Sequence, residues 1–268
     1  MAVQVAIVGA SPLSAALAKL VRDGADLSLA LWAERTTADH VEQTVGRNGV
    51  ALLAVPPGES REFVRSLGAR NVRVIDLGPD LRVPQVTCGF PESHARGKRM
   101  VAMPSAAGMA AYAAAGALLE KGLLHGDRIA VYAIGGGSSG IALENPAAEV
   151  AGELGWMLEQ HGAPPQRRLG VSIRAGPGML ALVQGELGSE ESQNEKLLRD
   201  TAGSGPPWLR LCPENTHPDA ARVAGSGDAE VSVAVDWFAE WLLCSCALDP
   251  VWFPAHAALR ALRAMSLE

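Results

Sequence analysis

Val3-Gln4-Val5-Ala6-Ile7-Val8-Gly9-Ala10-Ser11-Pro12-Leu13-Ser14-Ala15 is the stretch that decides how this chain folds. Residues 3–8 form a short apolar run closed by a turn, which reads as a buried strand. Gly9 to Pro12 reads as that tight turn. From Leu13 to Arg22 the apolar residues recur at helical spacing, with Leu13, Leu17, Leu20 and Val21 on one side. A strand that turns through glycine into a helix can lay a pyrophosphate on the helix N-terminus, where orphan amides and the helix dipole favour an anion. Gly9 can supply the tight first turn, and Ala10, Ser11 and Leu13 would line it. Pro12 stands where a second glycine would let the backbone approach phosphate, and it brings no N–H. Ala15 stands where a third glycine would permit close helix–strand packing. The turn therefore predicts the topology of a nucleotide-binding domain with a weakened fingerprint. A domain that keeps the turn after losing the ligand is the alternative.

Outward from this stretch the alternation continues. Leu27 to Trp32 reads as a second strand and Val50 to Val55 as a third, closed by Pro56-Pro57-Gly58. Ser60 to Leu67 fits a helix, and Val72 to Leu77 a fourth strand. Strands alternating with helices predict a doubly wound parallel α/β sheet over the first hundred residues. Met100 to Leu119 carries no charge, but it is rich in Ala, Gly and Ser and holds Pro104, so it reads as a buried helix and not a membrane span. Beyond it, Arg128–Ile134, 169–174, 179–186, 207–212 and 229–235 read as strands, and Pro146 to Gln160 as a helix. Strands in succession predict a mixed or antiparallel sheet in an α+β second domain. Val235 to Cys244, with Trp237 and Trp241 on one side, and Pro254 to Ala264 read as closing helices. The expected division is 1–105 with 245–268 for the first domain and 106–244 for the second.

Composition narrows the function. The chain has 268 residues, enough for a substantial core. A net charge of −6 and a pI near 5.6 argue against a nucleic-acid partner, which calls for a basic stripe. The N-terminus shows no basic region followed by a cleavable apolar segment, and Cys88, Cys212, Cys244 and Cys246 have no zinc-knuckle or redox spacing. Cytoplasmic location with free thiols is the expectation. No spacing of His, Cys and carboxylates predicts a metal site.

Several segments together resemble one family, the N-acyl-γ-glutamyl-phosphate reductases, relatives of aspartate-semialdehyde dehydrogenase. Val8-Gly9-Ala10-Ser11 is similar to the opening turn. Val74-Ile75-Asp76-Leu77-Gly78-Pro79-Asp80-Leu81-Arg82 resembles an Ile-Asp-Leu-Ser-Ala-Asp-Phe-Arg segment, and Cys88-Gly89-Phe90-Pro91-Glu92 a Tyr-Gly-Leu-Pro-Glu element. Gly136-Gly137-Ser138-Ser139-Gly140 and Ala229 to Cys246 resemble later elements, in the same order. The resemblance implies a Rossmann-like domain and NADP(H)-dependent chemistry on an acyl phosphate or semialdehyde. It further implies a homodimer or an assembly with an active homologue.

That chemistry runs through a thiol that attacks acyl phosphate, with an acid/base and oxyanion donors. The position resembling the thiol is Ala106, within Met103-Pro104-Ser105-Ala106-Ala107-Gly108-Met109. Two substitutes are in view. Ser105 lies at the helix start, where its ordinary role is an N-cap. Cys88 is a relocated nucleophile or a packed core thiol. His161, in Gln160-His161-Gly162-Ala163-Pro164-Pro165, is an acid/base or a histidine favoured by a helix C-terminus. His125 with Gly126 reads as a helix cap. Glu92 and Ser105 are the substrate candidates. Glu34-Arg35, Pro56, Gly137 and Ser138 complete the cofactor candidates, Glu34 suited to a ribose diol and Arg35 to a 2′-phosphate. Two readings stand: an oxidoreductase with a remodelled site, or a non-catalytic relative that binds a small molecule or partners an active subunit.

Overall fold

A computed structural model describes residues 2–135, 146–160, 169–174, 178–188, 194–236 and 241–266. They divide into two units. The first takes 2–105 and, from Pro254 on, the described part of the C-terminal helix; the second takes the described residues of 106–253.

In the first unit β1 (Val3–Val8), β2 (Leu27–Ala33), β3 (Val50–Leu53), β4 (Arg73–Asp76) and β5 (Met100–Ala102) form one parallel sheet in the order β2-β1-β3-β4-β5. The pairs β1·β2, β1·β3, β3·β4 and β4·β5 are all parallel. Val5 to Val8 and Val50 to Leu53 are buried throughout, the continuous apolar run expected of strands covered on both faces. The connecting helices are α1 (Pro12–Asp23), α2 (Ala38–Val45) and α3 (Ser60–Ala69). Leu13, Leu17 and Val21 form the buried stripe of α1. Ala15 is exposed, so close packing of this helix falls to the fully buried Ser14 and Ala18 instead. α2 lies outside the elements expected from sequence, and the helix expected from Met100 is corrected: Met100 to Ala102 form β5, and the helix begins only at Ala106. Within this unit Arg263 donates two bonds to Asp26, just before β2, and Arg73 of β4 bonds Ser266, tying the last helix to the sheet.

The second unit holds α4 (Ala106–Glu120), β6 (Leu124–Gly135), α5 (Pro146–Gln160), β7 (Leu169–Arg174), β8 (Met179–Leu187), α6 (Glu195–Gly203), β9 (Leu209–Leu211), β10 (Ala229–Asp236) and β11 (Trp241–Leu248); α7 (Trp252–Ser266) begins at its end. Its six-stranded mixed sheet runs β7-β6-β8-β11-β10-β9. Strands β6, β8, β11 and β10 are antiparallel neighbours, while β7 and β9 pair parallel at the edges. α4, uncharged up to its last residue Glu120, is buried nearly all round against this sheet, α5 and α6, which explains an apolar helix without a stripe. Among the described residues no helix is long and apolar enough to cross a membrane.

Three expectations are corrected here. In the closing helix expected at 235–244, Val235 and Asp236 instead end β10 and Trp241 to Cys244 begin β11, while 237–240 lie outside the described residues. Leu242, Cys244, Cys246 and Leu248 are buried and Leu243 is exposed, a strand's two-residue period at its start. Trp241 therefore lies on a strand, and β11 runs to Leu248 in the second sheet, past the boundary expected at 244. His125 caps no helix, because α4 ends at Glu120 and Gly122 takes the left-handed turn at φ +66. His125 lies in β6.

Candidate functional site

The parallel sheet reverses its strand order between β1 and β3, and in such sheets ligands gather outside the carboxyl ends of the strands at that reversal. The loops after β1 and β3 meet there at Gly9 and Ala54. Gly9 has φ +134, and a Cβ on it would stand 2.2 Å from the Ala54 carbonyl oxygen, so only glycine fits.

The amides of the first turn can be followed one by one. Gly9 N–H donates to Ala33 O, and Ser11 N–H to Ser14 Oγ at 2.8 Å. Ser14 N–H returns to Ser11 Oγ at 3.2 Å, completing a capping box, and Ala15 N–H takes Ser11 O. Pro12 occupies the first helical position, where its missing donor would have been an orphan in any helix. Ala10 and Leu13 keep amides with no partner among the described residues. Two donors at the N-terminus of a twelve-residue helix are what a pyrophosphate needs. The indole N–H of Trp32 donates to the Gly9 carbonyl at 3.3 Å, and Glu34 and Arg35 follow it, exposed.

The loop after β3 is closed differently. Pro56, Pro57 and Gly58 are exposed, but the start of α3 has an internal anion. Asp80 accepts from Gly58 N–H at 2.7 Å and from Ser60 N–H at 3.0 Å, doing the work that Glu59 at the cap position does not. Beneath it, Asp76 ends β4 fully buried. Its Oδ1 accepts from Ser60 Oγ at 2.7 Å and Gly78 N–H at 3.1 Å, while Oδ2 has no partner. Burial pushes its carboxyl up to about 6, against the opposing pull of Ser60, Gly78 and Arg82. Arg82 donates to Met103 O and Leu77 O, pinning the chain as it approaches Ser105.

Cys88 has no accessible surface, and its thiol donates to Phe90 O at 3.0 Å. Cys244 and Cys246 are buried in the second sheet, where desolvation pushes Cys244 up to about 12 and Cys246 up as well. Ser105 is half-buried immediately before α4, and Ala106 is the first residue of that helix. Glu92 opens a one-turn helix after Pro91 and forms an ion pair with Arg260 of α7. In the second unit Gly108, in the first turn of α4, faces the buried carboxyl of Glu153 from α5, leaving no room for a Cβ. His161, Gly137 and Ser138 lie outside the described residues.

Comparison with solved structures covers nearly the whole chain. Aspartate-semialdehyde dehydrogenase II from Vibrio cholerae superposes with a TM-score of 0.77 at 13% identity, over 99% of each chain. The enzyme from Candida albicans, solved with NADP, gives 0.69 at 13% identity over 99% of each chain. The fold is that of the aspartate-semialdehyde dehydrogenases. In sequence, the N-acetyl-gamma-glutamyl-phosphate reductase of Desulforudis audaxviator (strain MP104C) is 24% identical over 238 residues, covering 72% of this chain and 68% of the reductase. Homology to this group of reductases and dehydrogenases is thereby supported, although no family model matches the chain. On the semialdehyde-dehydrogenase fold, the sequence-derived residues Gly9, Ala10, Ser11, Glu34, Arg35 and Pro56 fall on the loops after β1, β2 and β3, at the carboxyl ends of the strands, and Pro12 and Leu13 on the first turn of α1. Sequence reasoning passed over Trp32, Asp80 and Glu153. Only Asp80 left a signal, a carboxylate two residues after the glycine that follows a strand.

Proposed function

We propose that the chain is an NADP(H)-dependent oxidoreductase of the semialdehyde dehydrogenase kind, acting on an amino-acid-derived acyl phosphate, semialdehyde or related carbonyl. One observation carries this reading: Gly9 holds a turn open only to glycine, and the amides of Ala10 and Leu13 stand unengaged among the described residues at the start of α1. In this reading those amides take the pyrophosphate, Glu34 the ribose diol and Arg35 a 2′-phosphate, with Pro56 flanking the crevice. Gly137 and Ser138 join them on the resemblance alone. When bound, the dinucleotide supplies or accepts a hydride.

The thiol route has no visible nucleophile among the described residues. Ala106 occupies the position that the resemblance gives to the thiol, and Cys88 is enclosed. The reading is therefore direct reduction of a carbonyl, in which the carbon takes the hydride and the oxygen a proton to leave an alcohol. Ser105, beside Ala106 at the start of α4, is the hydroxyl next to the substrate, and His161, taken from the resemblance, the acid/base. Glu92, a substrate candidate on sequence, has its carboxylate held by Arg260, and we assign it to anchoring the Pro91–Ala95 turn. The burial of all four cysteines favours a second reading, a non-catalytic homologue that binds a small molecule or partners an active subunit.

Calorimetric titration with NADPH and NADP separates the two. The oxidoreductase reading expects saturable binding, and absence of binding at millimolar concentration overturns it in favour of the non-catalytic one. Phosphate-dependent semialdehyde oxidation that appears only in Ala106→Cys traces the difference to that position. Turnover by the wild type that Cys88→Ser leaves unchanged removes Cys88 from the chemistry.

We also propose a homodimer formed by the outer face of the second sheet. Helices α4, α5 and α6 pack against this sheet, and its other face carries Tyr132 and Leu243, 46% and 40% exposed. Leu180, Leu182 and Trp241 lie beside them, half-buried.

A further inference from the structure

We infer that Trp32 is the base platform of a purine-nucleotide site, with the guanidinium of Arg22 beside it. The inference rests on the dinucleotide reading above and names a residue that reading does not contain. Trp32 is the last but one residue of β2, the edge strand of the parallel sheet, and it lies at the carboxyl end where the loops gather. Two contacts fix its ring: the indole N–H on Gly9 O at 3.3 Å, and the guanidinium of Arg22 over the ring, 5.5 Å from the centroid. The ring is nevertheless 43% exposed. Tryptophan is highly buried on average, so a side chain held by two contacts and still this wet offers flat π surface to a partner. The guanidinium over the ring is a cation–π contact, and its charge suits the phosphates of a nucleotide.

The same hydrogen bond acts on the turn. In a trans peptide the C=O and N–H point to opposite sides, so drawing the Gly9 carbonyl toward the indole turns the Ala10 N–H away from it. Ala10 is one of the two unengaged amides. An aromatic face, a cation and amides unengaged among the described residues then sit together at the carboxyl end of β1 and β2, the first matching the base and the other two the phosphates of a purine nucleotide. The indole both stacks on the base and presents a phosphate donor.

Calorimetry with ADP, inorganic pyrophosphate and NADPH on wild type, Trp32→Phe and Trp32→Ala tests this, each variant first checked by thermal unfolding. Phenylalanine keeps a π face and lacks the N–H donor, so it separates stacking from the hold on Gly9. We expect Trp32→Ala to weaken ADP about tenfold or more, with Trp32→Phe within about threefold of wild type and pyrophosphate changed less than ADP. Equal losses in Phe and Ala, matched by pyrophosphate, overturn the platform and leave a residue that only shapes the turn. NADPH bound equally well by wild type and Trp32→Ala overturns Trp32 while keeping the dinucleotide reading. Trp32-dependent ADP binding without NADPH binding does the reverse, and no binding of any of the three overturns both.

Discussion

Asp76 is the residue with the most at stake in its protonation. Its Oδ1 holds Ser60 Oγ and Gly78 N–H, its Oδ2 holds nothing, and burial pushes it up to about 6. Arg82 and Asp80 act on it in opposite directions, and neither outweighs burial. An unfolded aspartate titrates near 4, so between about pH 4 and pH 6 the folded chain holds more proton than the unfolded one. Stability contributed by this group is therefore present at the acid end, falls as pH rises through that window, and stays low above it. The size is on the order of 3 kcal/mol. Asp76→Asn keeps the acceptor for Ser60 and Gly78 and removes the charge. The variant should melt higher than wild type at pH 7.5, and the gap should close as pH approaches 4. Thermal unfolding of both proteins across pH 4–8 checks this; a gap independent of pH sinks it.

Elements explain both what could be read ahead and what could not. β1, α1, β3 and α3 were legible because each is a local pattern: an apolar run, a glycine turn, a helical stripe. The turn at Gly9 was legible for the same reason, since its geometry depends on a glycine in the sequence itself. β11 was not legible, because Trp237 and Trp241 are four residues apart and copy a helical face. What makes it a strand is pairing with β8 and β10 across the second sheet, which one segment cannot reveal. α3 shows the same limit within the site. Its cap residue Glu59 makes no side-chain bond, and the carboxylate that satisfies its first amides comes from Asp80. Removing it with Asp80→Ala should cost about 1 kcal/mol, a fall in Tm of a few degrees, by analogy with lost N-caps. Hydrogen exchange at Gly58 and Ser60 should rise with it, while exchange in α1 stays unchanged. Unaltered exchange at those two amides would show that Asp80 is not their acceptor in solution.

For the whole molecule the question is what covers the outer face of the six-stranded sheet. Its four central strands are antiparallel, and in register Tyr132 stands beside Leu182 and Leu182 beside Ser245, with Leu243 between Gln184 and Ala234. The row is uncharged at its centre, with Tyr132, Leu182, Leu243 and Ala234 apolar and Gln184 and Ser245 polar, whereas Glu230 at one side is already engaged by Arg222. At strand spacings of about 4.8 Å and rises of about 3.4 Å per residue, such a face offers roughly 600 Å² before side-chain relief, near the ~800 Å² each partner gives to a standard interface. A second copy is the occupant that suits it, because a twofold axis through an antiparallel sheet sets the same apolar row against itself. Leu243→Lys places a like charge twice across that axis and should convert a dimer to a monomer without unfolding the chain, since the side chain already meets water in the single protomer. Sedimentation velocity across a concentration series checks both proteins. A wild type that stays monomeric at high concentration, or a Leu243→Lys variant that dimerises unchanged, assigns this face to something other than a second copy.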